Sequence, residues 1–202
     1  MKKIMFNDRY VLTKAVLEGK KTQTRRVVPK DFFSLNWDVK ERTLVYENDF
    51  GDFVDIRNSK YALFHVGEIV AVAQKYNDCG GVLENGIPRW KYISKIVGNT
   101  SGGWTNKMFV KPELMPHQIR ITDVRVERLQ DISDEDCLKE GISPMIVGCE
   151  YYVFSFIDKE KGRFLDYKTP REAYAALIDK VSGKGTWESN PYVFVYDFEL
   201  IK

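Results

Sequence analysis

A nine-residue run near the C-terminus constrains this chain most. In Tyr192-Val193-Phe194-Val195-Tyr196-Asp197-Phe198-Glu199-Leu200, Tyr192, Phe194, Tyr196, Phe198 and Leu200 fall on one strand face. Val193 and Val195 make the other face apolar at its start, so the strand is expected at the centre of a sheet, with the C-terminus tied down by it. A sheet built on it needs cover, and helix signals supply it. Thr169-Pro170-Arg171-Glu172 places a cap at Thr169 and a proline at the first helical position ahead of Tyr174, Leu177, Ile178 and Val181. Asn7 or Asp8 can cap a helix carrying Tyr10, Val11, Ala15, Val16 and Leu17, which Gly19 stops. Ser133-Asp134-Glu135-Asp136 opens a short helix ended by Gly141.

Other strands are read from period two. Ile69-Val70-Ala71-Val72-Ala73 follows the turn Val66-Gly67-Glu68. Ile119 and Ile121 share one phase and Val124 and Val126 the other, a slip that predicts a bulge near Thr122-Asp123. Residues 31–60 read as a hairpin or insertion with a turn at Asn48-Asp49-Phe50-Gly51, and residues 77–106 as a glycine-rich, lid-like loop region. The sum is an α+β chain.

Composition narrows the function. Net charge is only +2, so any nucleic-acid argument must be local. No stretch approaches the roughly 20 apolar residues of a membrane span, and no signal-peptide core follows Met1, so no membrane partner is expected. Cys79, Cys137 and Cys149 form no C-x-x-C pair, which suits reduced thiols and the cytoplasm. With only His65 and His117 besides, no zinc site and no cofactor are expected. The acids Asp131, Asp134, Glu135, Asp136 and Glu140 lack calcium-loop spacing and read as a solvated helix face.

Charge is concentrated in one place. From residue 14 to 30 stand Lys14, Lys20, Lys21, Arg25, Arg26 and Lys30 against Glu18 alone, a local balance of +5. The run Lys20-Lys21-Thr22-Gln23-Thr24-Arg25-Arg26 has no apolar member and reads as an exposed loop or edge segment. Its functional reading is a surface for phosphates or base edges, its plainer one a solvated loop. Neighbouring cations or burial would lower the pKa of Lys21 and make it a candidate base, with Thr24 a nucleophile or orienting hydroxyl. Gln74, Lys75 and Tyr76, just past the Ile69 strand, are candidate cleft residues. Trp90, Tyr92, Trp104 and Phe109 either stack on bases or plug the loop onto the sheet.

Gly19-Lys20-Lys21-Thr22-Gln23-Thr24-Arg25-Arg26 resembles the G-x-K-x-x-x-x-R signature of ASCH domains, in the PUA-like superfamily. Val66-Gly67-Glu68, the run Ile121–Ile132, Glu140-Gly141-Ile142 and the ending Trp187–Phe194 are similar to further features of phage and prophage members, in the same order. Residues 31–60, 77–110 and 143–166 have no counterpart and count as insertions in one domain spanning 1–202. The resemblance implies a small β-barrel or mixed sheet flanked by helices, with a cleft beside the Lys-Thr-Arg loop. It implies binding of RNA or a nucleoside-type small molecule through Lys20, Lys21, Thr22, Thr24, Arg25, Arg26, Gln74, Lys75, Tyr76 and Arg120. Some small bacterial members resemble amidohydrolases that deacetylate acetylcytidine, using the lysine and threonine matched by Lys21 and Thr24 and a glutamate of a later strand. Aligned this way, Arg120 stands at the glutamate's position, so hydrolysis would need another acid: Glu68, Glu127 or one in the unmatched loops. A third reading is an accessory protein that binds another protein. The sequence fixes no oligomeric state.

Overall fold

The computed structural model describes residues 1–29, 36–38, 43–48, 50–83, 85–147 and 151–201. Lys30, Asp49 of the expected turn, and Cys149 lie outside them. In chain order the elements are β1 (Lys2–Ile4), α1 (Leu12–Leu17), β2 (Gln23–Val27), β3 (Asn36–Asp38), β4 (Thr43–Glu47), β5 (Phe53–Asp55), β6 (Ile69–Val72) and α2 (Arg89–Val97). There follow β7 (Gln118–Arg128), α3 (Asp134–Lys139), β8 (Ser143–Val147), β9 (Tyr151–Asp158), β10 (Arg163–Tyr167), α4 (Pro170–Ser182), α5 (Thr186–Ser189) and β11 (Tyr192–Leu200).

The α+β expectation holds. The main sheet has the order β1-β6-β7-β11-β2, and two three-stranded sheets, β10-β9-β8 and β3-β4-β5, stand apart from it. Among the described residues none of the three closes into a barrel. β1 runs parallel to β6; the other pairs of the main sheet are antiparallel. β11 lies between β7 and β2, as its two apolar faces require. Its register against β7 shifts between Asp197, opposite Asp123, and Phe198, opposite Ile121. Thr122 is thus the extra residue, and the bulge sits where the hydrophobic phase slips.

β6 is buried on both faces. Val70 and Val72 join the main core with Ile119, Ile121, Phe194 and Tyr196. Ala71 and Ala73 face a second core of Tyr76, Cys79, Ile93, Val110 and Met115. That second core corrects the lid-like reading of residues 77–106: α2 and short 3-10 turns pack there against β6. Gly103 is required by this packing, since a Cβ would stand 2.3 Å from the Tyr76 ring. Of the four aromatics in that region, Trp104 packs edge-on against Tyr76, whereas Trp90, Tyr92 and Phe109 are exposed.

α4 starts as expected. The Thr169 hydroxyl accepts from the Glu172 amide, Glu172 accepts from the Thr169 amide, and Pro170 opens the helix. α1 does not. Its cap is Val11, at φ +60 and with no side-chain cap, because Asp8 is occupied by Thr13 and by Lys107 from a distant turn. No helix among the described residues is long and apolar enough to cross a membrane.

Candidate functional site

The basic run begins where α1 ends. Gly19 takes φ +69, and the amides of Lys20 and Lys21 both donate to the Ala15 carbonyl, at 2.8 and 3.0 Å. Thr22 is held on two sides, its amide by the Lys139 carbonyl and its carbonyl by the Phe198 amide. The chain then enters β2, the edge strand against β11. The edge expectation is right, but exposure is not: Lys21, Gln23, Thr24 and Arg25 are all buried.

Two buried cations need counter-charge, because moving an ion out of water costs several kcal/mol. Acids from beyond residue 126 supply it. The Lys21 ammonium donates to Glu140 Oε2 at 2.5 Å and to the Glu140 carbonyl oxygen at 2.8 Å, with the Phe6 ring 5.8 Å away. The Arg25 guanidinium donates to Glu127 Oε1 at 2.7 Å, to Asp136 Oδ2 at 3.1 Å, to Glu140 Oε1 at 3.1 Å and to Gln23 Oε1. Arg125 extends the network to Asp197 and Asp136. Two elements aim Glu140. α3 ends beside it, and Gly141, at φ +103, brings the chain so close that a Cβ would stand 3.3 Å from Leu12 and 3.7 Å from the Lys21 stem.

The acid cluster therefore needs correction. Asp131, Asp134 and Glu135 are exposed, but Asp136 turns in and Glu140 is only 4% exposed. The +5 patch is also corrected. Lys14 and Lys20 pair with Glu18 at 3.5 and 2.7 Å, and Lys21 and Arg25 are neutralised internally. Arg26 makes no ion pair with a described carboxylate; its guanidinium donates to the Met5 carbonyl at 2.8 Å.

Beside β2 lies a cavity of about 270 Å³. Lys21, Thr24, Arg25, Arg26 and Glu140 form its polar wall; Tyr174, Leu177, Ile178 and Val181 of α4, with Met5 and Phe6, form the apolar one. Burial lowers the Lys21 pKa from its ordinary value, with Glu140 opposing. Burial alone would lower Arg25 too, but Glu140, Tyr174 and Glu127 outweigh it and raise its pKa. Burial lowers the Arg26 guanidinium. The Tyr174 hydroxyl is raised well above its ordinary value by burial and has no hydrogen-bond partner among the described residues. The Thr24 hydroxyl likewise makes no hydrogen bond to a described residue.

The remaining sequence candidates fall elsewhere. Gln74 and Lys75 line a different cavity, and Tyr76 is the fully buried centre of the second core, so none of the three joins the Lys21 site. Arg120 is exposed on β7 and pairs with Glu199 at 2.8 Å, away from Lys21. The acid at Lys21 is Glu140, not a residue at the position of Arg120. The available signal was Glu140-Gly141-Ile142 itself, an acid followed by a turn glycine, which stands out in the sequence without announcing its partner. Among the described residues no group of three or more His, Cys, Asp or Glu is placed to hold a metal ion. Compared with known proteins, the chain matches no family model, no curated protein and no solved structure.

Proposed function

We propose that the cavity beside β2 binds a nucleoside-type small molecule and that Lys21, Thr24 and Glu140 hydrolyse an amide on its base, as in deacylation of an acetylcytidine-type substrate. One observation carries this reading: a sealed lysine–carboxylate pair, 2.5 Å apart, in the wall that also holds the Thr24 hydroxyl. A purely structural ion pair is no better for lining a cavity, and a low-dielectric site is where a lysine can be a base near neutral pH. In the proton-shifted form of the pair, Lys21 is a neutral amine and Glu140 a carboxylic acid. Lys21 takes the Thr24 proton as the hydroxyl adds to the acyl carbonyl. The Arg26 charge faces the developing oxyanion. Glu140 gives its proton to the departing base nitrogen, and water then releases the acyl group from Thr24.

The ASCH resemblance supports the same roles for Lys21 and Thr24, and Glu140 takes the part of the glutamate; the PUA-like kinship of the fold is part of this proposal. Size limits the occupant to a small ligand: at about 270 Å³ the cavity lies just under the roughly 300 Å³ at which small-molecule sites usually begin. A surface for an RNA backbone is less favoured, because Lys20, Lys21 and Arg25 are already paired with carboxylates. The test is incubation of the protein with acetylcytidine, following deacetylation by absorbance. Turnover by the wild type that is lost in Lys21→Ala, with circular dichroism unchanged, is the expected result. No turnover by the wild type, or an undiminished rate in Lys21→Ala, refutes hydrolysis. Saturable binding without turnover would leave a binding protein.

A further inference from the structure

Residues 89–111 hold Arg89, Lys91, Lys95, Lys107 and Lys111 and no acid, a local charge of +5 in a chain of +2, so the rest of the chain sums to −3. Lys14, Lys20 and Lys21 are paired with carboxylates, but this second group is not. Only Lys107 is committed, to Asp8 at 2.8 Å. Lys91, Lys95 and Lys111 are exposed and Arg89 is half-buried, and none of the four makes an ion pair with a described carboxylate. Like charges left together repel one another, and an anionic partner removes that repulsion.

The same segment exposes rings. α2 turns Ile93 into the second core and leaves Lys91 and Lys95, one turn apart, in solvent. Trp90, 51% exposed, stands on the same helix. Trp90 and Trp104 line one open cleft of about 350 Å³, and Asn77 and Asn99 complete its lining. Trp104 is fixed in place: its Nε1 donates to the Gly98 carbonyl at 2.7 Å, and its ring stands edge-on to Tyr76 with the centroids 5.9 Å apart. Asn99 Oδ1 accepts from the Ser94 hydroxyl, and neither asparagine's amide nitrogen donates to a described residue. Two indoles with open amides between them suit a flat ring with a polar edge, and nucleic-acid bases stack on such rings. A membrane surface would meet a continuous apolar face, whereas here two asparagines occupy the space between the rings. We infer that this face binds a single-stranded polynucleotide, one base in the cleft of Trp90 and Trp104 and the backbone phosphates along Lys91 and Lys95. The cleft shares no lining residue with the cavity beside β2, and the inference does not rest on hydrolysis there.

The experiment is titration of labelled oligothymidylate and oligouridylate, each of about 16 nucleotides, with the protein at several salt concentrations, read by fluorescence anisotropy. A duplex of the same length and phosphatidylserine vesicles are the comparisons. The variants are Trp90→Ala, Trp90→Phe and Lys91→Gln/Lys95→Gln, all at accessible positions, with melting temperatures expected to match the wild type. The wild type should bind the strands saturably and the duplex more weakly. Trp90→Ala should weaken strand binding about fivefold or more, and Trp90→Phe, which keeps a ring, should recover most of the loss. The double lysine variant should flatten the slope of log affinity against log salt by about 1.4, at roughly 0.7 for each phosphate contact on a single strand. The tighter of the two strands identifies DNA or RNA as the source. No strand binding at low salt, a duplex bound as tightly as the strands, or strand binding that Trp90→Ala leaves unaltered overturns the inference. Vesicle binding that needs Trp90 while the strands stay unbound overturns it in favour of a membrane surface.

Discussion

Replacing Glu140 with glutamine keeps the side chain's size and removes one charge. Arg25 loses little, since Glu127 at 2.7 Å and Asp136 at 3.1 Å remain. Lys21 is left with the Glu140 carbonyl at 2.8 Å and the Phe6 ring at 5.8 Å. A buried ammonium without a counter-ion sheds its proton. From an ordinary pKa of 10.5, leaving that proton in water at pH 7 costs about 5 kcal/mol, which is the ceiling on the damage. At pH 9 the ceiling is about 2 kcal/mol. The direction follows from linkage: in the variant the unfolded chain binds the Lys21 proton and the folded one does not, so stability climbs as pH rises toward 10.5. Lys21→Met should cost less, because Glu140 keeps Arg25 at 3.1 Å. Urea unfolding of both variants at pH 7 and 9, followed by tryptophan fluorescence, measures all four quantities. A Glu140→Gln deficit that does not shrink at pH 9, or that is smaller than the Lys21→Met deficit, refutes the reasoning.

Gly141→Ala puts a side chain at φ +103 against Leu12 and the Lys21 stem; it should lose about 1–3 kcal/mol in urea unfolding, and deacetylation should fall with it. Tyr174→Phe removes a sealed hydroxyl with no hydrogen-bond partner among the described residues; thermal unfolding should show a gain of about 1 kcal/mol, and a loss would refute that expectation. Burial pushes the Cys137 thiol up to about 12 and the Cys79 thiol up to about 11. At pH 8 iodoacetamide should therefore spare both in the folded protein and modify both in urea, as read by peptide mass mapping.

Features written in neighbouring residues were legible in the sequence. The α4 start needs only Thr169, Pro170 and Glu172, the bulge at Thr122 is a slip in period two, and the burial of β11 is stated by Val193 and Val195 beside Phe194 and Tyr196. The site was half legible. Lys21, Thr24 and Arg26 stand in one short run, but what they face does not. Asp136 already has a sufficient local reason to be acidic, in the first turn of α3; Glu140 stands at the other end of that helix, where an acid has no such reason, but no local rule says that it neutralises Lys21 across 119 positions. The cap of α1 failed for the same reason: Asp8 is a good cap residue until Lys107 arrives to claim it.

The place of β11 sets an order of assembly. Among the described residues β2 meets the main sheet only through β11, so the strand that carries Thr24 and Arg26 waits, during synthesis, for the final residues of that sheet to leave the ribosome. Until then β2 has no strand partner, and only the Thr22–Lys139 hydrogen bond and the carboxylates of Glu127, Asp136 and Glu140 are there to hold Lys21 and Arg25. Any cut ahead of Tyr192 would leave β2 in the same condition, with every acid of the network present and the strand that pins Thr24 and Arg26 missing.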